Sequence, residues 1–221
     1  MSSPYKFIFN DQTLWLSADR CIYWEEEKAL ILSDLHLGKS GHFRKSGIAV
    51  PQNVFKEDLQ RLFALIQFFK PSQLIIVGDL FHSHANKEMD LFLKWRNDLS
   101  KKKFRLIRGN HDILTKKFYE RAGIEVTNQK LSIGNFCFTH DINETCEEEV
   151  GNINFTFSGH VHPGIKMSGA GRQQLHFPCF YFTKDHAILP AFGRFTGLFN
   201  ITPKKNDKVF ALVENNVVKL Q

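Results

Sequence analysis

The sequence predicts an α/β fold, a four-layer α/β/β/α sandwich of two mixed sheets with flanking helices. Three observations predict it. From Ala29 onward, short wholly apolar runs alternate with longer amphipathic segments. Beyond Gly134 the pattern shifts to closely spaced strand-like runs. Five of the apolar runs lead directly into Asp, His or Asn, usually beside a glycine, as strand ends at a ligand crevice do.

The first thirty residues alternate apolar and polar side chains over 6–9, 13–16 and 20–24, the period-two pattern of a small antiparallel meander. Ala29-Leu30-Ile31-Leu32, Leu74-Ile75-Ile76-Val77 and Arg105-Leu106-Ile107 then read as strands buried on both faces, which need crossover helices between them. Residues 54–69 supply one such helix, because Leu59, Leu62, Phe63, Ile66 and Phe69 recur at three and four residues. Residues 86–99 supply another, with a broader apolar face of Met89, Leu91, Phe92, Leu93, Trp95 and Leu99. The runs at 136–139, 153–157, 177–183, 188–192 and 209–213 read as further strands.

A chain of 221 residues fits one fairly large domain, 1–221, with the meander at about 5–27 belonging to it. Apolar residues at 43% and charged residues at 24% exclude collagen-like, disordered and disulfide-scaffold classes. With 22 Phe against 3 Trp and 4 Tyr, the core is expected to be phenylalanine-rich. Oily stretches such as 62–69 fall far short of the ~20 residues a membrane span needs. The N-terminal 19 residues lack a continuous apolar signal segment, so the expected location is cytoplasmic. Cys21, Cys137, Cys146 and Cys179 are scattered without a C-x-x-C pair and read as reduced thiols. A net charge of +6 favours anionic partners such as phosphates or nucleic acid, although a solvated basic surface produces the same excess. The basic cluster Lys101-Lys102-Lys103 follows a helix, where cations suit the dipole alone, and is not read as a nucleic-acid patch.

The chemistry sits where the apolar runs end. Leu32 leads into Ser33-Asp34-Leu35-His36-Leu37-Gly38, Val77 into Gly78-Asp79-Leu80-Phe81-His82, and Ile107 into Arg108-Gly109-Asn110-His111-Asp112. Phe138 leads into Thr139-His140-Asp141, and Phe157 into Ser158-Gly159-His160-Val161-His162-Pro163. Singly, each block has an ordinary explanation: a core or surface histidine, or an aspartate capping a helix or turn. Five in order, each at a strand end, do not. Carboxylates and imidazoles crowded together without counter-charge are costly to bury, and a cation resolves that cost. Asp and Asn oxygens with imidazole nitrogens and no thiolate suit Mn²⁺, Fe or Zn²⁺ rather than a structural zinc site. Asp34, His36, Asp79, Asn110, His140, His160 and His162 exceed the needs of one ion. Two ions sharing a carboxylate would use them all, an arrangement suited to phosphoester hydrolysis.

These blocks closely resemble the calcineurin-like metallophosphoesterase superfamily, whose ordered pattern is D-x-H, G-D, G-N-H-D/E, H and G-H-x-H. The resemblance spans about 130 residues, 34–162. It implies one ion held by Asp34, His36, Asp79 and His162, and a second held by Asp79, Asn110, His140 and His160. Asp79 would be the bridging carboxylate. The two cations would lower the pKa of a bridging water and neutralise charge on the phosphoryl oxygens. His111 would not be a ligand but would protonate the leaving oxygen. Many members carry a glycine beside the fourth-block histidine, whereas Thr139-His140-Asp141 stands here. Asp112 is read either as orienting His111 or as stabilising the turn, and Asp141 either as supporting the metals or as a cap.

Four side chains are candidates for holding substrate. Gly78-Asp79-Leu80-Phe81-His82 resembles the corresponding block of SbcD-type nucleases, where the histidine contacts phosphate; a surface histidine is the competing reading of His82. His42 and Arg44, with Lys45, stand on a glycine-punctuated loop where a polyanion could be held, against a plain solvated basic loop. Arg108, at the entrance to the third block, is the fourth. The segment 34–51, with Leu189-Pro190-Ala191-Phe192-Gly193-Arg194-Phe195-Thr196-Gly197, is similar to the bacterial DNA-ligase-associated metallophosphoesterase subfamily. That resemblance implies a Mn²⁺-dependent phosphodiesterase or endonuclease of DNA repair, with a DNA ligase and a helicase-like protein as partners. A pyrophosphatase of the UDP-diacylglucosamine type is the alternative within hydrolases, and a non-catalytic scaffold on the same fold is the alternative outside them. Each is expected to differ from a nuclease in which ester, if any, it turns over.

Overall fold

Asn10 and Asp11 adopt positive φ of 49° and 58° and close a two-residue turn between β1 (Tyr5–Phe9) and β2 (Gln12–Ser17), the primed hairpin geometry that matches strand twist. The computed structural model describes residues 3–39, 54–82, 87–144, 155–168 and 174–221. β2 pairs antiparallel with β3 (Cys21–Trp24), and β3 with β4 (Ala29–Leu32), which is the meander read from the sequence. From β4 the sheet turns parallel, through β5 (Gln73–Val77), β6 (Lys103–Ile107) and β7 (Ile124–Thr127). Helices α1 (Val54–Phe69) and α2 (Lys87–Asp98) fall between these strands as crossover helices, and α3 (Lys116–Arg121) precedes β7.

The central parallel strands β4 and β5 are almost wholly apolar because both faces are covered. Leu30, Leu74 and Phe104 lie in register on one face, as do Leu32, Ile76 and Leu106, and they pack beneath Leu59, Leu62 and Ile66 of α1 and Phe92 of α2. The alternate positions Ala29, Ile31, Ile75, Val77 and Ile107 face the second sheet. That sheet is built from β8 (Lys130–Ile133), β9 (Phe136–Thr139), β10 (Phe155–Ser158), β11 (Pro163–Ser168), β12 (Gln174–Phe182), β13 (His186–Ile188) and β14 (Phe199–Asn200). β15 (Lys208–Val213) joins it along β12, and β16 (Asn216–Lys219) pairs with β15. Both sheets mix parallel and antiparallel pairs, as expected. Among the described residues all three helices lie against the first sheet, while the outer face of the second carries a small cluster of Cys179, Ile201 and Val209.

The phenylalanine surplus fills the space between the sheets. Phe136, Phe138, Phe155, Phe157, Phe180, Phe182 and Phe210 are buried there with Trp24. Phe157 meets Phe136 edge-on at 5.1 Å and 83°, and Phe182 at 6.2 Å and 89°. Such contacts add to the area each ring removes from water. Phe157→Ala is therefore expected to cost about 3–5 kcal/mol of unfolding free energy, measured by chemical denaturation.

Two readings need correction. The strand expected over 188–192 stops at Ile188, because Pro190 has no N–H to give to a ladder and the chain then leaves the sheet to bridge Ser33 through Ala191. Cys137, expected as a reduced thiol, stands in a disulfide, whereas Cys21 and Cys179 are free and buried. Spacing in sequence says nothing about the close Cα approach that a disulfide needs. Ile153 and Asn86, at the ends of two expected elements, lie outside the described residues. No helix among the described residues is long and apolar enough to cross a membrane.

Candidate metal centre

The carboxyl ends of β4, β5 and β6 in one sheet, and of β9 and β10 in the other, deliver the five blocks to one place. Within each sheet, neighbouring loops are tied by main-chain bonds: Asp34 N–H donates to Gly78 O (3.1 Å), His36 N–H to Asp79 O (2.9 Å) and Gly159 N–H to His140 O (3.1 Å); between the sheets, His160 N–H donates to Asp34 Oδ2 (3.0 Å). Asp34, His36 and His162 form one cluster, and Asp79, His140 and His160 another, with the potential ligand atoms of each within 4.8 Å of one another.

Asp79 joins the two clusters. Its Oδ2 stands 3.9 Å from His36 Nε2 and its Oδ1 3.6 Å from His140 Nε2, so each oxygen is turned to a different group. Around the first group, His162 Nε2 lies 3.3 Å from Asp34 Oδ1 and 3.3 Å from His36 Nε2. Around the second, His140 Nε2 lies 3.2 Å from Asn110 Oδ1 and 3.3 Å from His160 Nδ1. The tautomer of His140 is fixed by its other nitrogen: Nδ1 is 3.2 Å from Val77 O, a carbonyl that can only accept, so Nδ1 carries the proton. Nε2 then presents a lone pair to the amide oxygen of Asn110, an arrangement a cation resolves. Ligands each about 2.0–2.2 Å from one ion sit roughly 3–3.5 Å apart, and the observed separations fall in or near that range. The residues present fit a pair of divalent ions.

Electrostatics agree. Burial pushes the His36 imidazole down to about 3, which leaves it neutral and able to offer Nε2. Burial opposes ionisation of Asp34, yet hydrogen bonding and charge from His162, with His140 and Ser33, hold its carboxyl below the usual range. Asp79 is raised, by burial first and also by the charge of Asp34. Two buried carboxylates this close need positive charge between them.

The backbone is bent to make the site. Asp34 (φ 52°), His36 (49°), Asp79 (49°), His160 (65°) and His162 (53°) all adopt the left-handed region, at roughly 1 kcal/mol or more each. Strain concentrated on candidate ligands is a mark of function that no spacing rule displays. Close approach is equally demanding: a Cβ at Gly78 would overlap the His140 ring, and one at Gly109 would overlap the Asp79 carboxylate.

Residues 28–140 match the family model for the calcineurin-like phosphoesterases. The Pseudomonas putida nuclease MPE superposes with a TM-score of 0.82 at 30% identity, over 98% of this chain and 100% of that one. The chain belongs to the calcineurin-like phosphoesterase family. A protein of unknown function from Aquifex aeolicus (16% identity, 61% and 78% of the two chains, TM-score 0.46) and the E. coli phosphoesterase Yfce (15%, 86% and 96%, 0.45) are far looser matches. No curated protein sequence matches significantly. The family makes this chain a metal-dependent phosphoric ester hydrolase, and the two clusters are its candidate ion sites.

The remaining residues of the phosphoesterase site separate by what they touch. His111 donates its main-chain N–H to Asp79 Oδ1 (2.9 Å), and its ring stacks on His82 at 4.4 Å and lies 5.4 Å from His36. His82 Nδ1 is 3.3 Å from His36 Nδ1, so it orients the face of His36 turned away from the cluster. Among the described residues no hydrogen bond joins Asp112 to the His111 ring. Its buried carboxylate accepts Phe81 N–H (3.0 Å) and Gly109 N–H (3.0 Å), which stabilises the turn, and burial raises it to about 6. Backbone amides within three residues and across the β5 loop outcompete a ring that stacking carries elsewhere. Asp141 likewise caps its own turn through Asn143. Arg108 is exposed at the rim and donates from Nε to Asp112 O (2.9 Å). His42 and Arg44 lie outside the described residues.

Lys39 went unassigned in the sequence. It is half-buried, and burial draws its ammonium below its ordinary value while Asp79 and Asp34 pull the other way, which places it within electrostatic reach of both carboxylates. Its position three residues beyond His36, after Gly38, was the only available signal.

Proposed function

We propose that this phosphoesterase is a two-metal phosphodiesterase acting on nucleic acid, with Mn²⁺ as its working metal and DNA as its substrate. The single observation that carries the reading is Asp79, whose two oxygens face different donor groups and so join two ion sites into one centre. Asp34, His36, Asp79 and His162 would hold one ion, and Asp79, Asn110, His140 and His160 the other. Bound there, a pair of divalent ions supplies Lewis acidity that activates water near neutral pH and offsets phosphoryl charge.

This chain's own residues do the rest. His111, anchored through its main chain to Asp79, donates a ring proton to the leaving oxygen. Lys39 offers a cation to the phosphoryl group from beside the two carboxylates. Arg108, His82, His42 and Arg44 are assigned to binding the substrate, and Asp112 to holding the loop that presents His111. The resemblance to a nuclease at 30% identity and the net charge of +6 support a polyanionic diester. By resemblance to the ligase-associated subfamily, the enzyme would act in cytoplasmic DNA repair beside a DNA ligase and a helicase-like protein. One core cluster that draws on both sheets, from Leu14 to Leu212, supports reading 1–221 as one domain.

A substrate panel in Mn²⁺ tests this reading. Bis-(p-nitrophenyl) phosphate and single- or double-stranded DNA are expected to be hydrolysed, with a chelator stopping both reactions and excess Mn²⁺ restoring them. Turnover of a nucleotide-diphospho-lipid with no action on DNA would replace it with the pyrophosphatase, and metal-independent partner binding with no turnover would replace it with the scaffold.

A further inference from the structure

We infer that Arg20 and Arg61, neither of which touches the metal centre, form a clamp that sets the geometry of the Asp34–His36–His162 ion site through residues 191–193; the inference rests on reading that cluster as metal-binding.

The loop that carries Asp34 and His36 cannot hold its shape unaided. Both residues adopt positive φ, 52° and 49°, immediately after β4 ends at Leu32, so their conformation has to be imposed by neighbours. One side is held by the β5 loop, through Gly78 O and Asp79 O. The other side is held by a segment with no regular structure: Phe192 N–H donates to Ser33 O (2.7 Å) and Gly193 N–H to Asp34 O (3.1 Å). Gly193 approaches so closely that a Cβ there would stand 2.6 Å from Leu35 O.

Residues 191–193 are held by a pair of largely buried guanidiniums, with Thr196 Oγ1 adding one bond to Gly193 O (3.0 Å). Arg20 Nη1 donates to both Ala191 O (3.1 Å) and Gly193 O (3.1 Å). Arg61 Nη2 donates to Phe192 O and to Asp58 Oδ1 (2.8 Å), and its guanidinium lies 4.0 Å over the Phe192 ring. Three consecutive carbonyls are thus held by two arginines, while two of the same residues' N–H groups hold the metal loop. The arrangement is expensive. Burial, with the nearby charges of Arg61 and Arg194, pushes Arg20 down to about 10 against the opposing charges of Asp58 and Asp19, and burying such a charge network is a poor way to gain stability alone. Its product is a fixed position for Ser33 and Asp34. Arg20 and Arg61 are therefore positioning residues for the ion site, acting as outer-shell partners do.

The test compares Mn²⁺ binding by calorimetry, and the paramagnetic resonance of the bound Mn²⁺, in wild-type, Arg20→Met and Arg61→Met proteins, with thermal melts of the metal-free forms recorded alongside. Wild type is expected to bind two ions. In Arg20→Met, one of the two is expected to bind about tenfold or more weakly, with the other unchanged and activity recovered at high Mn²⁺. Arg20→Lys, which keeps one donor, should fall between. Both ions binding with wild-type affinity in Arg20→Met and Arg61→Met, with only the melting temperature lowered, would overturn the clamp. Should the Met variants fail to fold, Gly193→Ala, which leaves both arginines in place but pushes on Leu35 O, must weaken the same single ion or the inference fails. Absence of Mn²⁺ binding by wild type would instead overturn the metal reading beneath it.

Discussion

Asp79→Asn protein is expected to lose about two to three orders of magnitude in turnover of a phosphodiester, the scale for removing one fixed electrostatic group from a transition state. The substitution is isosteric, and the reasons for so large an effect are local. A carboxylate turns one lone-pair-bearing oxygen to each cluster, at 3.9 Å from His36 Nε2 and 3.6 Å from His140 Nε2. An amide turns an oxygen to one and an N–H₂ group to the other, so one ion loses a ligand and meets a donor. If instead the N–H₂ replaces Oδ1, the His111 main-chain N–H loses its acceptor as well, and the proposed acid loses its anchor. Stability should move the other way. Asp79 is buried beside Asp34, and both burial and that neighbouring charge raise its carboxyl. Neutralising it removes a repulsion from the metal-free protein, whose melting temperature should hold or rise. The stabilisation conferred by added Mn²⁺ should shrink, because a weaker ligand set gives less linkage. Steady-state assays with thermal melts at zero and saturating Mn²⁺ read both. Wild-type turnover in this variant would refute the shared-carboxylate centre.

His111→Ala protein is expected to lose about 10²–10⁴-fold in turnover of DNA, the range for a positioned proton donor. The loss should depend on the leaving group. An alkoxide departing from a sugar needs a proton in the transition state, whereas p-nitrophenolate leaves readily without one. The defect on bis-(p-nitrophenyl) phosphate should therefore be much smaller than on DNA, and Mn²⁺ binding should be close to wild type. A ligand role would produce the opposite: equal losses on both substrates and weakened ion binding. The geometry favours the acid, since the His111 ring stacks on His82 at the edge of the first cluster and only its main chain contacts Asp79. Equal defects on the two substrates would place His111 among the ligands instead.

Much of this arrangement is legible in the order of residues. The meander, the three apolar parallel strands and α1 follow from periodicity alone, because period-two alternation marks one covered face and an unbroken apolar run marks two. The five blocks are legible because parallel strands must present their carboxyl ends together, so residues more than a hundred positions apart, such as Asp34 and His162, meet at 3.3 Å. Other features are not. Asp112 follows His111 directly, and nothing in that adjacency shows that its carboxylate turns back to Phe81 and Gly109. The 188–192 run reads as a strand; Pro190 ends the ladder, but only the tertiary structure shows that the chain then turns to the loop around Asp34. Arg20 and Arg61 carry no pattern, since their role lies in three carbonyls that side-chain identity never names.

The sequence by itself determined the family of fold and the kinds of donor atom at its strand ends, because hydrophobic periodicity and ligand chemistry are properties of side chains in order. Tertiary structure alone decided which lone pairs face each other, which backbone amides the Asp112 carboxylate accepts, and which segments lie against the bent loop at Asp34. Those are matters of a few tenths of an ångström and of main-chain direction, set by the packing of distant segments.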